Sequence, residues 1–142
     1  MQIVDANILI YATNTDAPHH EVAHAWLDGQ LSGTEAVGLP WTVLLAFARI
    51  TTRAGLLPRP LTVTEAFDTI DVWLSCPNAV IPAPTPRHRH VLRDLLERVS
   101  TAGNLTADAH LAALALEHGA SICSFDSDFA RFPGLRWSLP AI

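Results

Sequence analysis

The stretch Ser-Ile-Cys-Ser-Phe-Asp-Ser-Asp-Phe at residues 121–129 leads from an apolar run into a turn that carries Asp126 and Asp128. The start of the chain repeats this arrangement, because the mainly apolar stretch 1–4 is followed directly by Asp5. Short apolar runs bounded by turn residues are typical of buried strands. Such strands, alternating with helices, predict a parallel sheet that is covered on both faces. Since sites in these sheets lie at the carboxyl ends of the strands, we expect Asp5 and Asp126 to share one edge.

The rest of the chain supplies the alternating helices and strands. Residues 8–12 predict a turn or a short helix, and Gly119 is typical of the residue that follows a helix. Helical periodicity and short apolar runs mark the other elements. The predicted helices cover about 18–31, 41–54, 63–74, 91–99 and 105–118, and the further predicted strands cover 36–39, 79–81 and 135–139.

Length and composition favour one globular domain over residues 1–142. The chain has 142 residues, of which 49% are apolar and 16% are charged, enough for a full hydrophobic core. No apolar run reaches the length of a membrane span, and the N-terminus has no basic signal region, so we expect a cytoplasmic protein without membrane contact. Cys76 and Cys123 are too few for a disulfide framework and have no metal-binding spacing.

The charge balance excludes some functions and constrains others. The formal net charge is −5, and all nine basic residues are arginines. The absence of lysine excludes phospho-receiver domains and aspartyl-phosphate phosphatases, which need a lysine beside the phosphoryl group. Phosphate contacts supply most non-specific affinity for nucleic acids. A nucleic-acid enzyme with this balance therefore needs bound cations, a local arginine patch or a second copy of itself.

Asp5, Asp108, Asp126 and Asp128 are the candidate catalytic residues. Each has an ordinary alternative role as a helix cap, a turn residue or a partner of the helix dipole. Together they form a dense negative site, in which two carboxylates about 4 Å apart repel by roughly 4 kcal/mol at an effective dielectric constant of 20. A divalent cation removes this repulsion, and carboxylate ligands suit Mg²⁺ or Mn²⁺. Near them, Asn7 can orient a carboxylate, and Ser124 can hydrogen-bond a ligand or water.

Three motifs follow one another along the chain: Val-Asp-Ala-Asn at 4–7, Asn-Leu-Thr-Ala-Asp-Ala-His-Leu-Ala-Ala-Leu-Ala at 104–115 and Ser-Phe-Asp-Ser-Asp-Phe at 124–129. In this order they resemble the PIN-domain family, and most of all its VapC-type toxins. The resemblance covers essentially the whole chain. It implies a three-layer α/β/α fold with a central, mainly parallel sheet, and a homodimer. It also implies an Mg²⁺- or Mn²⁺-dependent endoribonuclease, inhibited by a small antitoxin protein.

The resemblance also implies roles for the aspartates. Asp5 and Asp108 match the principal metal ligands, Asp126 matches the next acid, and Asp128 matches the more variable last one. We therefore predict that Asp5, Asp108 and Asp126 hold the metal and that Asp128 assists.

One family feature is missing. The family usually carries a Glu on the helix after the second strand, but no acidic residue lies between Glu35 and Glu65. Trp41 or Thr42 stands roughly where that Glu would be, and Glu35 is expected at the wrong end of the strand. This departure leaves two alternatives open, a site for one metal instead of two and a degenerate binding module without turnover.

A third alternative is a zinc hydrolase. The sequence His20-Glu21-Val22-Ala23-His24 spells the H-E-x-x-H pattern, in which two histidines bind Zn²⁺ and the glutamate acts as a base. The pattern falls at the start of its helix and has no third ligand nearby, so a polar helix start is the favoured interpretation.

Candidate binding surfaces come from arginines and from one apolar helix. Arg49, Arg53, Arg87 and Arg89 can contact RNA phosphates, with a solvated helix face as the alternative. The helix predicted over 41–54 is apolar nearly all round, so it is either buried or part of an antitoxin groove or dimer interface. We also expect the tryptophans of three helices, Trp26, Trp41 and Trp73, to lie in the core, with base stacking as the weaker alternative.

Overall fold

Short strands alternate with helices throughout the computed structural model, which describes residues 1–99 and 103–141. The strands are β1 (Gln2–Val4), β2 (Val37–Gly38), β3 (Ala79–Val80), β4 (Ser121–Cys123) and β5 (Trp137–Ser138). The helices are α1 (Ala6–Thr13), α2 (His20–Leu31), α3 (Trp41–Thr52), α4 (Val63–Leu74), α5 (His88–Arg98) and α6 (Thr106–Glu117). Two 3₁₀ turns, Gly103–Leu105 and Ser127–Arg131, flank the last helix and the fourth strand.

The five strands form one sheet in the order β3-β2-β1-β4-β5, and every pairing is parallel. β1 lies at the centre, where Val4 is in register with Cys123 of β4. On the other side of β1, Ile3 is in register with Gly38 of β2. Gly38 has no room for a side chain, because a Cβ there would lie 2.9 Å from the Ile3 side chain.

Helices cover both faces of this sheet. The chain moves in one direction from β1 to β2 and β3, then crosses back to β4 on the other side of β1. Since such crossovers are right-handed, α1 to α4 lie on one face, and α5 and α6 lie on the other. The contacts agree, because α1 packs on α2 and α3, whereas α5 packs on α6. The predicted three-layer α/β/α fold with a parallel sheet is confirmed.

The ends of the elements differ by a few residues from the sequence prediction. α3 ends at Thr52 instead of residue 54, because Arg53 is extended at φ −92° and ψ 156°. The hydroxyl of Thr51 bonds back to the carbonyl of Phe47 at 2.7 Å, a contact that often accompanies a bend near a helix end. α5 starts three residues earlier than predicted, at His88. Gly119 follows α6 at φ 62°, as predicted for a helix C′ residue.

The core fills the space between the sheet and both helical layers. Its fully buried side chains include Ile3, Phe47, Ile122 and Phe129. Trp26 and Trp73 are buried as predicted. The prediction for Trp41 is wrong, because this side chain is 48% exposed at the start of α3. α3 faces the core with Val43, Leu44 and Phe47 instead, while Leu45 is also exposed, so the helix is not buried all round. Among the described residues, no helix is long and apolar enough to cross a membrane.

Candidate metal centre

Two of the four aspartates, Asp5 and Asp126, lie at the carboxyl ends of neighbouring central strands. Asp5 follows β1 and caps α1, accepting a 2.7 Å hydrogen bond from the backbone N–H of Ala6. Asp126 follows β4 and caps the second 3₁₀ turn, accepting a 2.9 Å bond from the N–H of Asp128. The capping roles and the shared edge therefore coexist, because a parallel sheet brings the ends of adjacent strands together.

Ser124 joins these two positions. Its side chain is fully buried, and its hydroxyl donates to Asp5 Oδ2 at 2.7 Å. The Ser124 hydroxyl oxygen also accepts from Asn7 Nδ2 at 3.0 Å and from the N–H of Asp126 at 2.9 Å. With one donated and two accepted bonds, the hydroxyl has no capacity left for a ligand or water. The expectation of a ligand contact at Ser124 is thus corrected: this side chain holds the strand ends together.

Asn7 acts one step further from the carboxylates. Its amide nitrogen donates to Ser124, and its oxygen accepts from the N–H of Phe125 at 3.3 Å. It therefore orients Asp5 through Ser124 and fixes the chain between β4 and Asp126. The Trp137 indole N–H donates to the Ser124 carbonyl at 3.1 Å, a further support from β5.

Asp108 completes the acidic group from the other side. It lies in the first turn of α6, the helix that leads into β4. Asp108, Asp126 and Asp128 each place one carboxylate oxygen so that the three oxygens lie within 4.8 Å of one another. In the described part of the chain, this is the one group of three or more acidic, histidine or cysteine side chains arranged to hold a metal ion.

Burial and neighbouring negative charges raise the pKa values of Asp108 and Asp5. Burial is the largest cause for Asp108, and the charges of Asp126, Asp5 and Asp128 add to it, which raises the pKa of Asp108 to about 6. Burial also raises the pKa of Asp5, although the hydrogen bonds from Ser124 and Ala6 oppose the effect. The negative charges therefore face one another, and the charged form of Asp108 lacks compensation.

The donor set fits a hard divalent cation. All ligand atoms in the cluster are carboxylate oxygens, as Mg²⁺ and Mn²⁺ prefer. Asp5 lies beside the three-carboxylate group and is not one of its members. Each of its oxygens accepts one hydrogen bond, which leaves further lone pairs on a carboxylate for a cation. The choice of Asp5, Asp108 and Asp126 as ligands, with Asp128 assisting, stays a prediction.

The acid that the family usually has on the helix after β2 has no substitute nearby. α3 carries no acidic residue, and its first residue, Trp41, is exposed at the carboxyl end of β2. Glu35 lies before β2, 3.7 Å from the N-terminal amino group of Met1. As expected, it is at the amino end of the strands and away from the aspartates.

The histidines of the zinc pattern do not form a comparable centre. His20 begins α2, and its Nδ1 bonds the carbonyl of Tyr11 at 2.8 Å. The rings of His20 and His24 are 5.5 Å apart, but among the described residues no third ligand joins them. The zinc hydrolase alternative is not favoured.

The candidate RNA-binding arginines are exposed on two separate helical layers. Arg49 is on α3 and Arg53 just after it, whereas Arg87 and Arg89 lie at the start of α5. In the described residues, the arginines found in ion pairs are Arg59, Arg93 and Arg98. The charges of the four candidates are therefore available to a partner, and their role stays a prediction.

A buried polar chain near the site was not predicted. Glu117 has a fully buried side chain that bonds Nδ1 of His88, and His88 Nε2 lies 2.9 Å from Nδ1 of His110. Glu117 also accepts from the backbone and hydroxyl of Thr85 at 3.0 and 2.6 Å. Burial and His88 lower the pKa of His110, with Glu117 opposing them. The seven-residue spacing of His110 and Glu117 on α6 was the available signal, since it places both on one helix face.

Comparison with known proteins agrees with these features. The PIN domain profile matches residues 3–135. The chain is 54% identical over 140 residues to ribonuclease VapC37 of Mycobacterium tuberculosis, covering 99% of this chain and 97% of that protein. It is 41% identical to ribonuclease VapC33 of the same species, covering 99% of this chain and 98% of that one.

The solved structures agree on the fold. A VapBC2 structure from Rickettsia felis, bound to a DNA fragment from its promoter, contains a similar chain with a TM-score of 0.71, at 18% identity and with 97% of both chains covered. A FitAcB structure from Neisseria gonorrhoeae gives a TM-score of 0.67, at 17% identity, covering 99% of this chain and 98% of that one. The chain therefore belongs to the PIN-domain family, and its relatives there are VapC ribonucleases.

Proposed function

We propose that this chain is a metal-dependent endoribonuclease, the toxin of a toxin–antitoxin pair, and that residues 1–142 act as one PIN domain. The observation that carries the proposal is the convergence of Asp108, Asp126 and Asp128 within 4.8 Å, with Asp5 beside them. The ribonuclease names of relatives that are 54% and 41% identical support RNA as the substrate. The proposed cofactor is Mg²⁺ or Mn²⁺.

The aspartates would hold the cation, and their neighbours would keep them in place. When bound there, a divalent cation would offset the charge of the scissile phosphate and lower the pKa of the attacking water. Asp108 contributes a carboxylate with a raised pKa, so it depends most on a cation for its charge. Ser124 and Asn7 fix Asp5 and the turn that carries Asp126. Preorganisation of this kind keeps the ligands in position throughout the reaction.

The proposed partners are the RNA, a small antitoxin protein and a second copy of the chain, in the cytoplasm. The solved neighbours include VapBC and FitAB complexes, which supports an antitoxin partner. An open groove beside Thr42, Leu45, Ala46 and Arg49 on α3 supports a protein contact there, because Leu45 is 56% exposed. The groove begins next to Trp41 and continues along α3.

The test is incubation of purified, antitoxin-free protein with total cellular RNA, in Mg²⁺, in Mn²⁺ and in EDTA. We expect discrete fragments with either metal and none with EDTA. Asp5→Ala should abolish cleavage, and Asp5→Asn should abolish it while keeping a side chain of the same shape. The matched control is Asp71→Ala, which removes an exposed carboxylate from α4 and should cut like the wild type. Cleavage that persists in EDTA or in a folded Asp5→Asn protein would contradict the proposal.

A further inference from the structure

A second pocket opens beside the aspartates, at the carboxyl ends of β2 and β3. It has a volume of about 210 Å³. Its walls are Pro40, Trp41 and Thr42 on one side, residues 81–84 on another, and His110 and Leu114 of α6 on a third. The lining is apolar apart from Thr42 and His110, and it carries no acidic or arginine side chain.

The pocket lies on the same edge of the sheet as the acidic group. Pro40 follows β2, the strand next to β1, and β1 ends at Asp5. α6 contributes to both places, because Asp108 is in its first turn and His110 comes two residues later, turned by about 200° about the helix axis. An RNA strand whose phosphate lies on the aspartates can extend along this edge of the sheet to the pocket.

Trp41 gives the pocket an aromatic wall that the core does not use. Its indole is 48% exposed, while Val43, Leu44 and Phe47 supply the buried contacts of α3. Proteins that bind single-stranded nucleic acid stack bases on such aromatic side chains, and sequence-specific RNA recognition targets unstacked bases in loops. An exposed tryptophan at the rim of a small apolar pocket is suited to this contact.

His110 supplies the polar contact in the pocket, and its orientation is fixed from behind. Its Nδ1 is 2.9 Å from His88 Nε2, and His88 Nδ1 bonds the buried carboxylate of Glu117. Because Nδ1 of His110 is engaged by His88, Nε2 is the ring nitrogen that is left for a ligand. A histidine nitrogen donates or accepts according to the tautomer, and every nucleobase offers both N–H donors and acceptor atoms to it.

Size and charge favour a base over a protein segment. A docked helix needs a groove that accepts side chains from successive turns, whereas this pocket is confined between α3, residues 81–84 and α6. Its lack of charge suits a neutral base, while the neighbouring aspartates and their cation suit the phosphate.

We propose that this pocket is a subsite for one unpaired nucleobase of the RNA substrate, stacked on Trp41 and hydrogen-bonded by His110. This proposal rests on the proposed function, because it places the base next to the phosphate that is cut.

The test compares wild type with Trp41→Ala and Trp41→Phe, on the RNA fragments that the wild type cuts. Loss of one stacking contact should lower kcat/KM by about tenfold or more, mainly through a higher KM. Trp41→Phe keeps an aromatic face and should recover most of the loss. Phe67→Ala is the matched control, because it removes a 38% exposed aromatic side chain from α4 and should leave cleavage unchanged. Thermal unfolding checks that all variants fold.

A second arm separates this proposal from the proposed function. Binding of a fluorescent 12-nucleotide single-stranded RNA is measured in Ca²⁺, with the same variants. Weaker RNA binding by Trp41→Ala than by Phe67→Ala supports the base subsite even if the wild type cleaves no RNA. Absence of cleavage by the wild type would contradict only the proposed nuclease activity. Equal cleavage and equal binding by Trp41→Ala and wild type would overturn the subsite, as would an absence of RNA binding by the wild type. If Trp41→Ala loses antitoxin binding but binds RNA like the wild type, the pocket is a protein contact and the base subsite is overturned.

Discussion

At the scale of single residues, the carboxylates of the site differ in the hydrogen bonds that they accept. Asp5 accepts hydrogen bonds from Ser124 and Ala6, and Asp126 accepts one from the N–H of Asp128. Asp108 receives no hydrogen bond from the described residues and has a pKa of about 6. Its charge is therefore the one that most needs an external cation, and its removal should be the most informative change.

Asp108→Asn should stabilise the metal-free protein at neutral pH. The folded-state pKa of about 6 is above the ordinary aspartate value of 3.8, so between these values the folded state binds more protons than the unfolded state. Stability therefore falls as pH rises through this window, and the cost persists above it. We expect a higher melting temperature for Asp108→Asn than for wild type at pH 7.5 in EDTA. The difference should shrink as the pH falls from 6 towards 4.

The control for this change is Asp71→Asn, which makes the same replacement on the exposed face of α4 and should not raise the melting temperature at pH 7.5. A lower melting temperature of Asp108→Asn at pH 7.5 would show that the carboxylate is compensated in the metal-free protein.

Ser124→Ala should lower both stability and cleavage. The change removes one donated and two accepted hydrogen bonds from a fully buried position, leaving Asn7 and the Asp126 N–H without a partner. Unsatisfied buried groups cost about 1–3 kcal/mol each, so we expect a loss of about 2 kcal/mol in unfolding free energy, measured in urea. Cleavage should fall as well, because Asp5 and Asp126 lose their common support. Ser127→Ala, at an exposed position in the same turn, should change neither quantity appreciably.

The positions of the aspartates at strand ends could be predicted from the sequence, but the hydrogen bonds of their neighbours could not. An apolar run followed by an aspartate predicts a strand end, and this pattern occurs at Asp5 and at Asp126. Whether Ser124 is open to a ligand depends on Asn7, which is 117 positions away in the chain. Local patterns carry no information about such a contact, so a buried and fully bonded serine looked like a free one.

At the scale of elements, α5 is tied to α6 by a buried polar chain. Glu117 of α6 bonds His88 of α5 and Thr85 before it. Burial raises the pKa of Glu117, but the hydrogen bonds from Thr85 and His88 outweigh it and hold the value below its usual range. The polar chain from Glu117 through His88 ends at His110, which lines the pocket beside Trp41. It therefore links the packing of two helices to the wall of that pocket.

Glu117→Ala should therefore loosen the α5–α6 layer. Removing a fully buried carboxylate leaves Nδ1 of His88 and both donors of Thr85 without their acceptor, and we expect a loss of about 2 kcal/mol in unfolding free energy, measured in urea. Glu97→Ala is the matched control on α5, because Glu97 pairs with Arg93 at the surface and is 63% exposed. Surface pairs contribute less than about 1 kcal/mol. Equal losses for the two variants would mean that the buried chain adds nothing.

The elements were more predictable than their ends and faces. Helical periodicity predicted α2 to α6, and only the ends moved by a few residues. The face that α3 turns outwards could not be predicted, because its residues 41–48 are apolar except for Thr42. Only packing against α1 and α4 decides that Phe47 is inside while Trp41 and Leu45 are outside.

At the scale of the whole molecule, the fold gathers negative charge that the chain cannot neutralise itself. The formal net charge is −5, and lysine is absent. The parallel sheet concentrates Asp5, Asp126 and Asp128 at one edge, and α6 adds Asp108. A cation at this edge would reduce repulsion in the protein and also make approach of an RNA phosphate favourable. Metal binding and fold stability should therefore be coupled.

Mg²⁺ or Mn²⁺ should raise the melting temperature of the wild type, and the rise should be proportional to the logarithm of the metal concentration. A ligand that binds only the folded state adds about 2.7 kcal/mol when present at 100 times its dissociation constant, which for a domain of this size is a shift of several degrees. Asp126→Asn removes a carboxylate of the three-oxygen group and should lose most of the shift, whereas Asp71→Asn should keep it. NaCl at matched ionic strength separates binding from charge screening. A shift of the same size in Asp126→Asn, or one that NaCl reproduces, would mean that the acidic edge is not the metal site.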